Sequence, residues 1–154
     1  MKDKEDVMSI ETVLHAMQEK FGDEVLAYQQ KSRRLYIDIA AKVIKDASLL
    51  MINEFEARFQ IATGVDTEAG FEVMYHWALD DDDFVVTIRV VLEHAAPQVD
   101  SIALVCPAAE WIEREMWELL GIEFTGHPDM RHLLLADEWP EGKYPMRRDY
   151  EATP

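Results

Sequence analysis

The sequence predicts an α+β domain, with helices packed on one face of a mostly antiparallel sheet and an irregular C-terminal tail. Three observations carry that expectation. Phe71, Val73, Tyr75, Trp77 and Leu79 alternate with Glu72, Met74, His76 and Ala78, and after Asp80 to Asp83 the alternation resumes as Phe84, Val86, Ile88, Val90 and Leu92, the pattern of an antiparallel hairpin. On both sides of the hairpin the apolar spacing changes to that of a helix. From His127 onward neither period persists, and prolines and mixed charges take over.

The elements follow in order. Ile10, Val13, Leu14, Met17 and Phe21 fall on one helical face, with Ser9 as N-cap and Gly22 as stop. Leu35, Ile37 and Ile39 alternate with Arg34, Tyr36 and Asp38, which predicts a half-buried strand. Val43, Ala47, Leu50, Met51 and Phe55 share the face of a second helix, and a short strand is expected from Phe59 to Thr63. After the hairpin, Ile102, Leu104 and Cys106 suggest a last strand, and Pro107 suits the first turn of a third helix. In that helix Ile112, Met116, Trp117, Leu119 and Leu120 form an apolar stripe beside a charged flank of Glu113, Arg114, Glu115 and Glu118. Gly121 should end it in the left-handed conformation, with Ile122 folding back on Trp117. The chain thus divides into a core over residues 1–126 and an extended tail over 127–154, within a single domain overall.

Composition narrows the class. A chain of 154 residues that is 49% hydrophobic and 30% charged can bury one respectable core. No segment approaches the roughly 20 apolar residues that span a bilayer, and the N-terminus MKDKEDVMSIE lacks a signal-peptide apolar run, so a cytoplasmic chain is expected. The single cysteine, Cys106, excludes an internal disulfide and a cysteine-ligated iron-sulfur cluster held by this chain alone. A net charge of −16 argues against nucleic-acid binding. From His127 to Tyr150, however, Asp129, Asp137, Glu138, Glu141 and Asp149 are nearly balanced by Arg131, Lys143, Arg147 and Arg148, so the body carries almost all of the charge.

The stretch from Glu113 to Tyr150 also carries a family resemblance. Glu113-Arg114-Glu115, then Glu118, Gly121-Ile122, Gly126-His127-Pro128-Asp129, Arg131 and the closing Pro145-Met146-Arg147-Arg148-Asp149-Tyr150 resemble the signature of the NADH dehydrogenase 30 kDa subunit family, which spans respiratory complex I and its relatives in energy-converting, membrane-bound nickel-iron hydrogenases. Phe59 to Asp66 and the hairpin resemble the middle of the same family. Glu118 stands where many relatives carry Asp, and His132 where a second Arg is usual.

The resemblance implies a non-catalytic scaffold subunit of a membrane-associated redox complex. It would pack against the large catalytic subunit and the iron-sulfur subunits, at the cytoplasmic face, and meet the membrane only indirectly. Iron-sulfur clusters and nickel-iron or flavin centres would then reside in the partners, with no cofactor in this chain. Because the chain stops soon after Tyr150, the expectation leans toward the hydrogenase-type complexes. Trp139, Pro140, Tyr144, Pro145, Met146, Arg147 and Arg148 join aromatic and Arg anchors to prolines that lower the cost of ordering on a partner. The tail is therefore expected to be a docking strap, partly mobile in the free protein from about Ala136, with Arg147 and Arg148 exposed and free to pair.

Other eye-catching residues have plainer readings. Asp80 to Asp83 lack the ligand spacing of a calcium loop and suit a solvated turn. Glu113 and Glu115 point about 200° apart on an ideal helix and cannot form an acid-base pair. Arg114 lies four residues from Glu110 and Glu118, the spacing of a surface ion-pair ladder. His127 and Asp129 suit a turn opening a short helix, and Cys106 a buried hydrophobe. No constellation surrounds His15, His76 or His94. Two other classes stay open: a stand-alone acidic interaction domain, and a metal-dependent hydrolase built on His127, Asp129 and His132.

Overall fold

The computed structural model describes residues 9–152. Residues 1–8, in the stretch that lacks a signal-peptide run, and residues 153–154 lie outside the described part. Helix α1 spans Ile10–Phe21, and the Ser9 side chain accepts from the Thr12 N–H at its start. Strands β1 (Val25–Lys31) and β2 (Arg34–Ile39) precede helix α2 (Ile44–Asn53). Strands β3 (Arg58–Asp66), β4 (Phe71–Leu79) and β5 (Phe84–Leu92) follow, then a short β6 (Gln98–Asp100), helix α3 (Glu110–Leu120) and β7 (Glu123–Thr125).

The main sheet has the order β1-β2-β5-β4-β3, antiparallel except where β2 lies parallel to β5. Alternation places Leu35, Ile37, Tyr75, Trp77, Val86 and Ile88 on the face that joins the core, where Val13, Met17, Ala47, Leu50 and Met116 pack with them. The opposite face holds polar contacts. Arg89 pairs with Asp38 and Glu72, and His76 bridges the Thr63 and Thr87 hydroxyls.

The structure corrects several expectations. Strand β1 carries no alternation because it is an edge strand with six of its seven residues exposed. Strand β3 continues to Asp66, well past Thr63. The strand expected at Ile102, Leu104 and Cys106 is a turn, in which Val105 and Cys106 both donate to the Ile102 carbonyl and Leu104 is exposed. The actual strand lies just before it, where β6 pairs in parallel with β7. Ile102 and Cys106 are buried as anticipated, but Ala103 is buried and Leu104 exposed, so the burial does not alternate as a strand's would.

Asp80 to Asp83 do form the β4–β5 turn, where Arg58 pairs with Asp80 and Arg33 with Asp83. Helix α3 stops at Gly121, at φ 73° in the left-handed region, with its N–H on the Trp117 carbonyl. A close approach fixes a second glycine. A Cβ at Gly64 would lie 2.8 Å from Leu120 and 2.9 Å from the Met116 sulfur, so α3 sits directly on β3 there.

Candidate functional site

The charged flank of α3 is not a solvated surface. Glu113, Arg114 and Glu118 are 0, 5 and 3% exposed, while Trp111 is 67% exposed. Glu113 enters the core beneath the 101–103 turn. Its Oε1 accepts from the Tyr75 hydroxyl at 3.1 Å and the Ile102 N–H at 2.9 Å, and its Oε2 accepts from the Ser101 hydroxyl. Burial pushes the Glu113 carboxyl above its usual range, and these three donors only partly offset that.

His127 closes the same corner, with its side chain 1% exposed. The Asp129 N–H donates to Nδ1 at 3.1 Å, which leaves Nε2 as the protonated nitrogen, donating to the Glu110 carbonyl at 2.9 Å. His127 thus joins the turn after β7 to the first turn of α3. The expected turn is present, but no helix follows it among the described residues.

One helical turn further on, Arg114 and Glu118 grip the chain that comes next. Arg114 donates to the carbonyls of Arg131 at 3.0 Å and His132 at 2.7 Å. Glu118 accepts the N–H groups of Leu133, Leu134 and Leu135 at 3.0, 2.6 and 3.3 Å, and meets His132 Nδ1 at 3.2 Å. The cation takes carbonyls and the anion takes N–H groups, each matched to its charge. Burial works against the Glu118 charge, yet these donors outweigh it and hold the carboxyl below its usual range. Arg114 is therefore no rung of a surface ladder, and the ordering of residues 131–135 comes from inside the chain.

The end of the tail returns to the same helix. Met146 N–H donates to the Leu119 carbonyl at 3.0 Å and Arg147 Nε to that of Leu120 at 2.6 Å, so the tail caps carbonyls that α3 leaves unpaired. The Arg147 guanidinium lies 4.3 Å from the Tyr144 ring centroid and 5.0 Å from that of Phe71. Arg147 is thus engaged rather than free, contrary to expectation, because a cation belongs at a helix C-terminus. Arg148 is exposed; its N–H donates to Asp66 and its side chain reaches Glu68 at 3.3 Å. Asp66 also meets His94 at 2.7 Å, and although burial opposes its charge, the Arg148 N–H and His94 lower its pKa. Trp139 donates to the Lys143 carbonyl and stacks on Tyr150, while Pro145 is half-buried and Pro128 and Asp149 face solvent.

Sequence reasoning missed Tyr75, Ser101, Asp66 and His94, all of which reach this unit from distant positions. His127, Asp129 and His132, the alternative metal set, each have a different partner: Glu110, Arg131 and Glu118. No group of three or more metal-capable side chains occurs among the described residues, and no described helix is long and apolar enough to cross a membrane.

The geometry defines an α+β core onto which the buried charges of one helix bind an irregular strap. The profile of the family described as "Respiratory-chain NADH dehydrogenase, 30 Kd subunit" matches residues 36–154, and the chain belongs to that family. It is 30% identical to the C subunit of F(420)H(2) dehydrogenase from Methanosarcina mazei, over 96% of this chain and 95% of that one. It is 33% identical to the C subunit of NADH-quinone oxidoreductase from Chloroherpeton thalassium, over 92% of this chain and 60% of the relative. Against the C/D subunit of the same oxidoreductase from Methylococcus capsulatus it is 28% identical over 92% of its length, which spans only 26% of that longer protein.

Solved structures share the fold. A chain of the membrane-bound sulfane sulfur reductase, an archaeal respiratory membrane complex, superposes with a TM-score of 0.75 at 24% identity, covering 92% of this chain and 85% of that one. A trypsin-resistant fragment of Nqo5 gives 0.65 at 22% identity, covering 79% of this chain and 99% of the fragment.

Proposed function

We propose that this chain is a non-catalytic, hydrophilic scaffold subunit of a membrane-associated redox complex, of the NADH:quinone oxidoreductase or energy-converting hydrogenase type, and that it packs against the large catalytic subunit. The observation that carries this reading is the family match across residues 36–154, which includes all of α3 and its strap. The geometry suits the role, since buried charges hold the strap in place before any partner arrives and so lower the entropic cost of docking. Cofactors, by this reading, belong to the partners: iron-sulfur clusters and a nickel-iron or flavin centre. The chain would lie at the cytoplasmic face and touch the membrane only through the complex.

The test is isolation of the affinity-tagged full chain from detergent-solubilised membranes of its native host. A stoichiometric complex containing a large catalytic subunit and iron-sulfur proteins is expected, while the separately purified chain should be folded and colourless. Recovery of the chain alone from the soluble fraction, or a stoichiometric flavin or iron-sulfur spectrum from the pure chain, would overturn the proposal.

A further inference from the structure

Several exposed apolar residues gather at one place. Trp111, on the first turn of α3, is 67% exposed, Leu134 of the strap 62% and Ile61 of β3 51%. Together with Ile112 and Leu133 they line a groove of about 380 Å³ between the start of α3, the strap and the outer strand of the sheet. Single exposed hydrophobes are ordinary, but a concavity lined by three is the kind of patch that marks an interaction site.

Two further features say what fits it. Strand β3 ends the sheet order, so its outer edge has no strand partner among the described residues; a bulge between Phe59 and Ile61 turns the edge beside the groove, and the regular stretch that follows can accept an extended segment. Glu115 lines the groove with no ion pair or hydrogen bond among the described residues, four residues from Trp111 on the same helix. In a chain of net charge −16, a second copy would bring like charges together at this rim, whereas a basic segment would neutralise Glu115. The groove is also pre-set, because Glu118 holds the Leu134 N–H at 2.6 Å and keeps that side chain outward.

We infer that this groove seats an extended segment of a partner subunit, one carrying an apolar side chain close to a lysine or arginine that pairs with Glu115. The inference rests on the proposed complex membership and gives it a specific contact. A photo-crosslinking residue placed at 111 or at 134 of the tagged full chain, activated in membranes and mapped by mass spectrometry, tests it; Tyr28 on the far edge serves as control position. The expected product joins either position to one segment of another subunit that has Lys or Arg within a few residues of an apolar side chain. Glu115→Lys should cut that product at least about tenfold, and Trp111→Ala should weaken retention of that subunit by about thirtyfold, with melting curves unchanged.

Crosslinks to a second copy of this chain, to a segment without a basic residue, or to nothing while the complex still co-purifies would each overturn the inference and leave complex membership standing. If the unmodified chain brings down no complex, the underlying reading fails and the inference fails with it.

Discussion

Glu113 and Glu118 are both buried on α3, yet their surroundings drive them in opposite directions. Glu113 has neutral hydrogen-bond donors, with His127 4.0 Å away, and burial outweighs both to raise its pKa, so its ionisation opposes folding: its contribution is intact below the unfolded value of about 4.3 and is lost as pH rises through the folded value. The Glu118 pKa is lowered, so its contribution is present above about 4.3 and is lost as pH falls through the folded value. Glu113→Gln should therefore compare more favourably with the wild type at pH 8 than at pH 4 in thermal melts. A difference in melting temperature that does not vary with pH would show that Glu113 does not feel its burial. Gly121 combines two constraints, a positive φ and a crowded space, since a Cβ there would lie 2.5 Å from Arg147 and 2.7 Å from Tyr144. Gly121→Val should cost about 2 kcal/mol or more, roughly 4–8 °C in a domain of this size, and should loosen the tail. Gly126→Ala, with positive φ but open space, should cost less, and equal losses would remove the steric argument.

At the scale of elements, α3 and the strap form one unit held by charge. Glu118→Ala leaves the N–H groups of Leu133 to Leu135 without their acceptor, and Arg114→Ala leaves the carbonyls of Arg131 and His132 without their donor. Each should cost about 2–4 kcal/mol, because part-buried backbone groups lose charge-assisted hydrogen bonds and keep their desolvation cost. Amide hydrogen exchange at residues 133–135 should speed up far more than exchange in the β4–β5 hairpin. Uniform acceleration across the chain would mean that the strap is not a separately fastened element. The hairpin was fully legible in its alternation, as was the cap and stop of α1. Strand β1 was not, because an exposed edge imposes no periodicity on its residues, and the 102–106 turn was misread because a turn can send Ile102 and Cys106 inward as a strand would, while Leu104 between them is exposed.

For the whole molecule, the tail is a returning strap that crosses α3 and reaches the end of β3. Its two arginines differ in kind. Arg147 caps α3 and lies over Tyr144 and Phe71, so Arg147→Ala should destabilise the free protein by about 1–3 kcal/mol. Arg148 holds on through its backbone N–H and an exposed ion pair, so Arg148→Ala should change stability by about 0.5 kcal/mol or less. Denaturant melts of the two single variants check this, and equal losses would mean that the Arg148 side chain also fastens the tail. Any effect of Arg148→Ala on co-purification of partner subunits then reports docking alone.

The sequence by itself determined the α+β class, the hairpin and its face, the helix that ends at Gly121, and the motif from Glu113 to Tyr150 that marks the family. Those features rest on local spacing, on a positive φ that only glycine takes easily, and on residue order, all of which are written along the chain. Only the tertiary structure decided what the motif's charges do. Glu113 meets Tyr75 across 38 residues and Arg148 meets Asp66 across 82, and helical spacing tells which residues share a face but not whether that face is solvated. A charged flank reads as surface until a distant segment supplies the hydrogen bonds that make its burial tolerable.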